Sequence, residues 1–170
     1  MSHGYMERRL NEGLITAISV AGVLIILGLV VLLTPGIYQD ANSFSKDFTN
    51  VSYTIGGSTI TLPAPANPSE HIALFTAVMD FLLAVGILQI LILAVRLVLR
   101  SPIRRTAQTV GSLIFWLGAA VVANVFLLAG TLDGWFRFWA GLIVLIGISL
   151  VARFTIHLMY RSSRNKRSEP

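Results

Sequence analysis

HIALFTAVMDFLLAVGILQILILAVRLVLR, His71 to Arg100, is a long apolar run interrupted near its outer third by one acid, Asp80. A helix rises about 1.5 Å per residue, so about 20 apolar residues cover the ~30 Å hydrocarbon core of a bilayer, and this run is longer than that. Three other blocks meet the same requirement: Leu14 to Leu33, Val110 to Ala129 and Phe138 to Met159. A hydrophobic content of 55% and a mean hydropathy of +0.76 are too apolar for an ordinary soluble domain of 170 residues. The predicted fold is an all-α integral membrane protein with four transmembrane helices and a small extracytoplasmic β-hairpin loop.

The segments follow from these blocks. Residues 1–13 are a polar lead, 14–34 the first span, and 35–70 a loop with a hairpin at 51–62. Residues 71–100 form the second span, 101–129 a short turn and the third, 130–137 a second turn, 138–160 the fourth span and 161–170 a basic tail. Arg8 and Arg9 precede the first block as in a secretory signal, but it exceeds the about 7–15 residues of a signal core and is expected to be retained.

The net charge of +5 raises the question of nucleic acid, and the positions of the charges answer it. With the N-terminus inside, Arg8, Arg9, Arg96, Arg100, Arg104, Arg105, Arg153 and the tail's Arg161, Arg164, Lys166 and Arg167 are cytoplasmic, while Lys46 and Arg137 are outside. This is the positive-inside pattern of a multi-pass protein of the cell membrane with both termini cytoplasmic, and it requires no nucleic acid. Arg161, Arg164, Lys166 and Arg167 are expected to lie along anionic lipid headgroups, each worth about 1 kcal/mol. Arg153 either snorkels to the same surface or joins a buried ion pair.

The loop is longer than a connector needs to be, so part of it should fold. In VSYTIGGSTITL, strands Val51–Ile55 and Ser58–Leu62 flank Gly56-Gly57, a pair that accepts the positive φ of a two-residue turn. Val51 then faces Leu62, Tyr53 faces Ile60 and Ile55 faces Ser58. The apolar face made by Val51, Tyr53, Ile55, Ile60 and Leu62 needs a cover, because a lone hairpin is marginal in water. Either the chain's own helix ends or a neighbouring protein supplies it, which makes these residues the candidate partner contact. Asn67-Pro68-Ser69-Glu70 reads as a capping box opening the second span, Ser101-Pro102 as the start of the third, and Asp133 as the cap of the fourth.

Asp80 lies about 12 Å below the outer surface, and Asn124, five residues short of the outer end of the third span, about 8 Å. Thr76 is one turn from Asp80 on the same face. Asp80, Thr76 and Asn124 therefore form the candidate intramembrane polar cluster. Three readings are open: a proton or cation station, a hydrogen bond joining two helices with Asp80 protonated, or a contact with another subunit. The histidines, His3, His71 and His157, fall on opposite sides of the membrane, and there is no cysteine. No catalytic residues, metal site or cofactor is expected.

MERRLNEGLITAISVAGVLIILGLVVLL (6–33) and VGILQILILAVRLVLRSPIRR (85–105) resemble small prokaryotic and archaeal multi-span membrane proteins encoded near sulfite-exporter-type permeases. The resemblance covers the first three spans and implies a helper role without assigning any residue. The expected function is that of a non-catalytic accessory or scaffold subunit of a membrane complex, together with other membrane-protein subunits. The alternative is a small homo-oligomeric transporter or channel using Asp80 as its station.

Overall fold

The computed structural model describes residues 3–99 and 101–165. Among them four helices are long and apolar enough to cross a membrane, accompanied by one short helix and a two-stranded sheet. Helix α1, His3–Leu33, begins within the polar lead and continues as one helix through the first apolar block. It stops at Pro35 and Gly36, the latter at φ 78, and the chain restarts as α2, Ile37–Lys46. No regular helix was expected here. Asp40 in its first turn and Lys46 in its last complement the helix dipole, and Phe44 anchors it to the core.

Strands β1, Phe48–Ile55, and β2, Ser58–Pro65, pair antiparallel with Val51 opposite Leu62, Tyr53 opposite Ile60 and Ile55 opposite Ser58, the predicted register. Gly56 and Gly57 both have positive φ, as a twisted two-residue turn requires. Pairing extends past the predicted strands to Phe48 and Pro65, and the Ala66 N–H closes the open end on the Asp47 carbonyl at 3.0 Å.

A 3₁₀ turn, Pro68–His71, leads into α3, Ile72–Val98. The Asn67 side chain makes no cap hydrogen bond, so the expected capping box is not formed. Its place is taken from outside the turn, as described below. Helix α4, Ile103–Val122, has Pro102 in the cap position instead of Ser101. It passes into a π-helical turn, Ala123–Leu127, in which the Leu128 N–H reaches the Ala123 carbonyl at 3.0 Å. Helix α5, Leu132–Asn165, is capped by Thr131, whose Oγ1 accepts the Gly134 N–H at 3.0 Å. Asp133 is therefore left for another role. The backbone stays helical into the basic tail, of which Lys166 and Arg167 and the side chains of Arg161 and Arg164 lie outside the described residues.

Helix α4 packs between α3 and α5, and α1 packs along α3. Small residues set these approaches: Gly22 lies against Leu88, Gly86 against Leu117, Gly118 against Leu145 and Gly141 against Val122. The buried core gathers toward the hairpin end, where Phe75, Ala119, Ala123, Leu127, Trp135 and Phe138 meet Ala64 of β2. Elsewhere the helices carry large apolar side chains on their exteriors, among them Leu24, Leu32, Leu91, Ile143 and Val151.

Candidate functional site

Asp80 stands on the outside of the bundle. Helix α3 turns Phe75, Leu82, Gly86 and Gln89 into the bundle, and at about 100° per residue the face holding Asp80 also holds Leu83, Ile87 and Leu91. Those three are 42%, 50% and 60% exposed. The carboxylate thus sits on an exposed apolar stripe, and among the described residues it has no hydrogen-bond or ion-pair partner.

The other two members of the sequence-derived cluster are near but not joined to it. Thr76 Oγ1 donates to the Ile72 carbonyl of its own helix at 2.8 Å. Asn124, also exposed, is in the π turn and directs Nδ2 at the Met79 sulfur at 3.8 Å, a weak acceptor. No hydrogen bond links the three to one another among the described residues. What the cluster offers is two outward-facing polar side chains, Asp80 and Asn124, without a strong partner.

Among the described residues Arg153 pairs with no acid. Its stem lies across Gly111 of α4, Nη2 reaches Ser112 Oγ at 3.4 Å, and the buried Nε has no acceptor.

The strongest polar geometry belongs to a residue that the sequence did not single out. Asp47, between α2 and β1, accepts the Asn67 N–H at 2.9 Å and the His71 Nε2–H at 3.0 Å through the same oxygen, Oδ2. Its own carbonyl accepts the Ala66 N–H. One residue therefore ties the start of the hairpin to the start of α3. The Asn67 N–H, and after it the His71 ring, favour the charged carboxylate and hold Asp47 below its usual value of 3.8.

Aromatic rings surround this clasp. Phe44 sits 5.0 Å from Phe48, 5.1 Å from His71, 5.8 Å from Phe75 and 5.9 Å from Trp135, in each case edge-on. His71 is only 3% exposed, so the Asp47–His71 pair is a structural link and does not face an aqueous ligand. Farther along, the Tyr53 hydroxyl donates to Asp133 Oδ1 at 2.6 Å, and Asp133 Oδ2 meets Arg137 Nε at 2.7 Å. The Asp133 acceptor retains the phenol proton and pushes the Tyr53 pKa up.

The apolar hairpin face is covered in part by its own chain. Val51 packs on the core, Tyr53 stacks on Phe136 at 4.5 Å, and Leu62 lines a cavity beside Trp135 and Phe136. Ile60 stays 41% exposed, and the Ile55 side chain lies outside the described residues. Among the described residues no three His, Cys, Asp or Glu side chains gather as metal ligands would.

The clasp carries a pH prediction. Because the folded-state pKa of Asp47 is depressed, its stabilisation is present above the ordinary carboxylate value of 3.8 and is lost as pH falls through the lower folded value. Thermal unfolding in detergent should show Asp47→Asn melting below wild type at pH 7, with the difference shrinking as the pH drops under 3.8. A difference that stays constant across this range would dismiss the clasp.

Compared with known proteins, the chain matches no family model, no curated protein and no solved structure.

Proposed function

We propose that this chain is an integral membrane protein with four spans, both termini cytoplasmic and the hairpin on the opposite side, and that it acts as a non-catalytic subunit of a larger membrane assembly. The charge distribution supports the topology: Lys46 and Arg137 flank the hairpin in sequence, whereas the other eleven basic residues belong to the segments assigned to the cytoplasmic side. The observation that carries the assembly is Asp80, exposed on an apolar flank about 12 Å along α3 and without a partner among the described residues. A carboxylate facing hydrocarbon is costly, and a neighbouring chain that donates a hydrogen bond or a charge to it removes that cost. Asn124 offers the same neighbour a second polar contact, the kind that joins helices in lipid.

The hairpin contributes less to this reading than its sequence suggests, since Val51 and Tyr53 of its apolar face pack on the bundle. A second reading is a homo-oligomeric transporter. At the level of Asp80 the bundle interior is apolar, formed by Leu82, Ala119 and Ala123, so an ion path using Asp80 would run between copies and not through one.

The chain has no cysteine, so single cysteines report contacts without background. Ile87→Cys, on the Asp80 stripe, is expected to cross-link in native membranes to a second polypeptide, and Asp80→Leu to reduce that yield several-fold. A product of twice 18.5 kDa identifies another copy, and any other mass a different subunit. Proton or cation flux in liposomes that Asp80→Asn abolishes would select the transporter. Recovery of uncross-linked monomer alone, with no co-purifying chain, would end the assembly reading.

A further inference from the structure

Helices α3 and α5 both pack on α4 but splay from each other below the aromatic contacts that join Phe75 to Trp135. The wedge between them is a cavity of about 430 Å³, within the ~300–1,000 Å³ usual for small-molecule sites. Leu82, Leu127 and Phe138 form its buried floor, whereas Val78 and Trp139, 37% and 50% exposed, mark its mouth. The mouth therefore opens sideways, between two helices with apolar exteriors. The hairpin end is occupied by Phe44, Phe75 and Trp135.

We infer that this wedge binds one hydrocarbon tail of a membrane lipid. The wall exposes no polar surface, so an occupant bringing a charge or hydrogen-bonding group into it would leave that group unsatisfied. The sideways mouth fits entry from the hydrocarbon layer of the four-span protein proposed above, on which the inference rests. The lining runs along α3 from Leu74 to Leu82, about 12 Å by helical rise. A second apolar cavity of about 530 Å³ beneath the hairpin shares Phe44, Trp135 and Trp139 with the first. These three rings border both spaces, so a tail seated in the wedge ends against them. Acyl and isoprenoid tails share this chemistry.

The protein's three tryptophans, Trp116, Trp135 and Trp139, all line the wedge and make it optically addressable. The full chain in a non-quenching detergent is titrated with 9,10-dibromooctadecanoic acid while tryptophan emission is followed. Saturable quenching is expected, relieved by unbrominated octadecanoic acid if the site prefers acyl tails or by geranylgeraniol if it prefers isoprenoids. Val78→Phe places a ring in the mouth and should weaken the apparent affinity about tenfold, the effect of excluding about two methylenes. Leu74→Phe serves the same purpose if the first variant does not fold. Quenching that rises linearly without saturation, competition by neither lipid, or saturation unchanged in both variants would each overturn the inference. The titration involves neither Asp80 nor a second chain, so failed assembly and failed tail binding are separate results.

Discussion

Trp135→Ala is expected to cost about 3–5 kcal/mol, the range for removing a large buried aromatic ring. Trp135 is 8% exposed and lies 5.9 Å from Phe44, 5.8 Å from Phe48, 6.3 Å from Phe75 and 5.6 Å from Trp139. Those neighbours come from α2, β1, α3 and α5, so a single ring joins α2, β1 and α3 to its own helix. Its loss should release the hairpin and α2 before it loosens the helices, because the contacts of α4 with its two neighbours extend well beyond this layer. Amide exchange of the full-length variant in detergent should be faster at Val51 and Tyr53 and little changed at Leu117. Trp139→Ala, at a half-exposed ring, should cost distinctly less. Uniform acceleration through α4, or equal effects of the two tryptophans, would contradict this division.

Gly134→Ala is expected to be the most disruptive of the single-methyl additions among the interhelical glycines, in the range of about 1–3 kcal/mol. A Cβ at Gly134 would fall on the backbone carbonyl of Phe126, in the π turn. At Gly118 and Gly141 it would meet the side-chain ends of Leu145 and Val122. A side chain changes rotamer, but a carbonyl in a hydrogen-bonded turn moves only with its helix. The first turn of α5 must therefore shift, and Trp135, the next residue, shifts with it. Melting temperatures in one detergent should fall further for Gly134→Ala than for Gly118→Ala, and the reverse order would show that the π turn yields readily.

Residue by residue, legibility followed the range of the interactions. The hairpin register was readable because Val51, Tyr53, Ile60 and Leu62 alternate with Ser52, Thr54, Thr59 and Thr61 around a Gly-Gly pair, all within one short segment. Helix α2 was not, because IYQDANSFSK has weak intrinsic preference and its main anchor is the docking of Phe44 against Phe75 and Trp135. Asp47 resembled an ordinary loop acid, since its partners Asn67 and His71 lie 20 and 24 residues away. The expected capping box failed for the same reason, the Asn67 N–H being taken by that distant carboxylate. Asn124 could be placed along its helix but not in direction, because the π turn Ala123–Leu127 breaks the regular helical rotation on which such a projection relies.

By itself the sequence determined four helices of bilayer length, the hairpin and the position of Asp80 along its helix, because length, alternation and rise per residue are properties of contiguous chain. Only the tertiary structure decided which way Asp80 points. The small residues of α3 and α4 permit close packing on several faces, so the rotation of each helix about its axis was open until Phe75, Leu82, Gly86 and Gln89 turned toward the bundle together. That choice leaves the carboxylate on the exposed apolar flank of α3, the observation on which the proposed assembly rests.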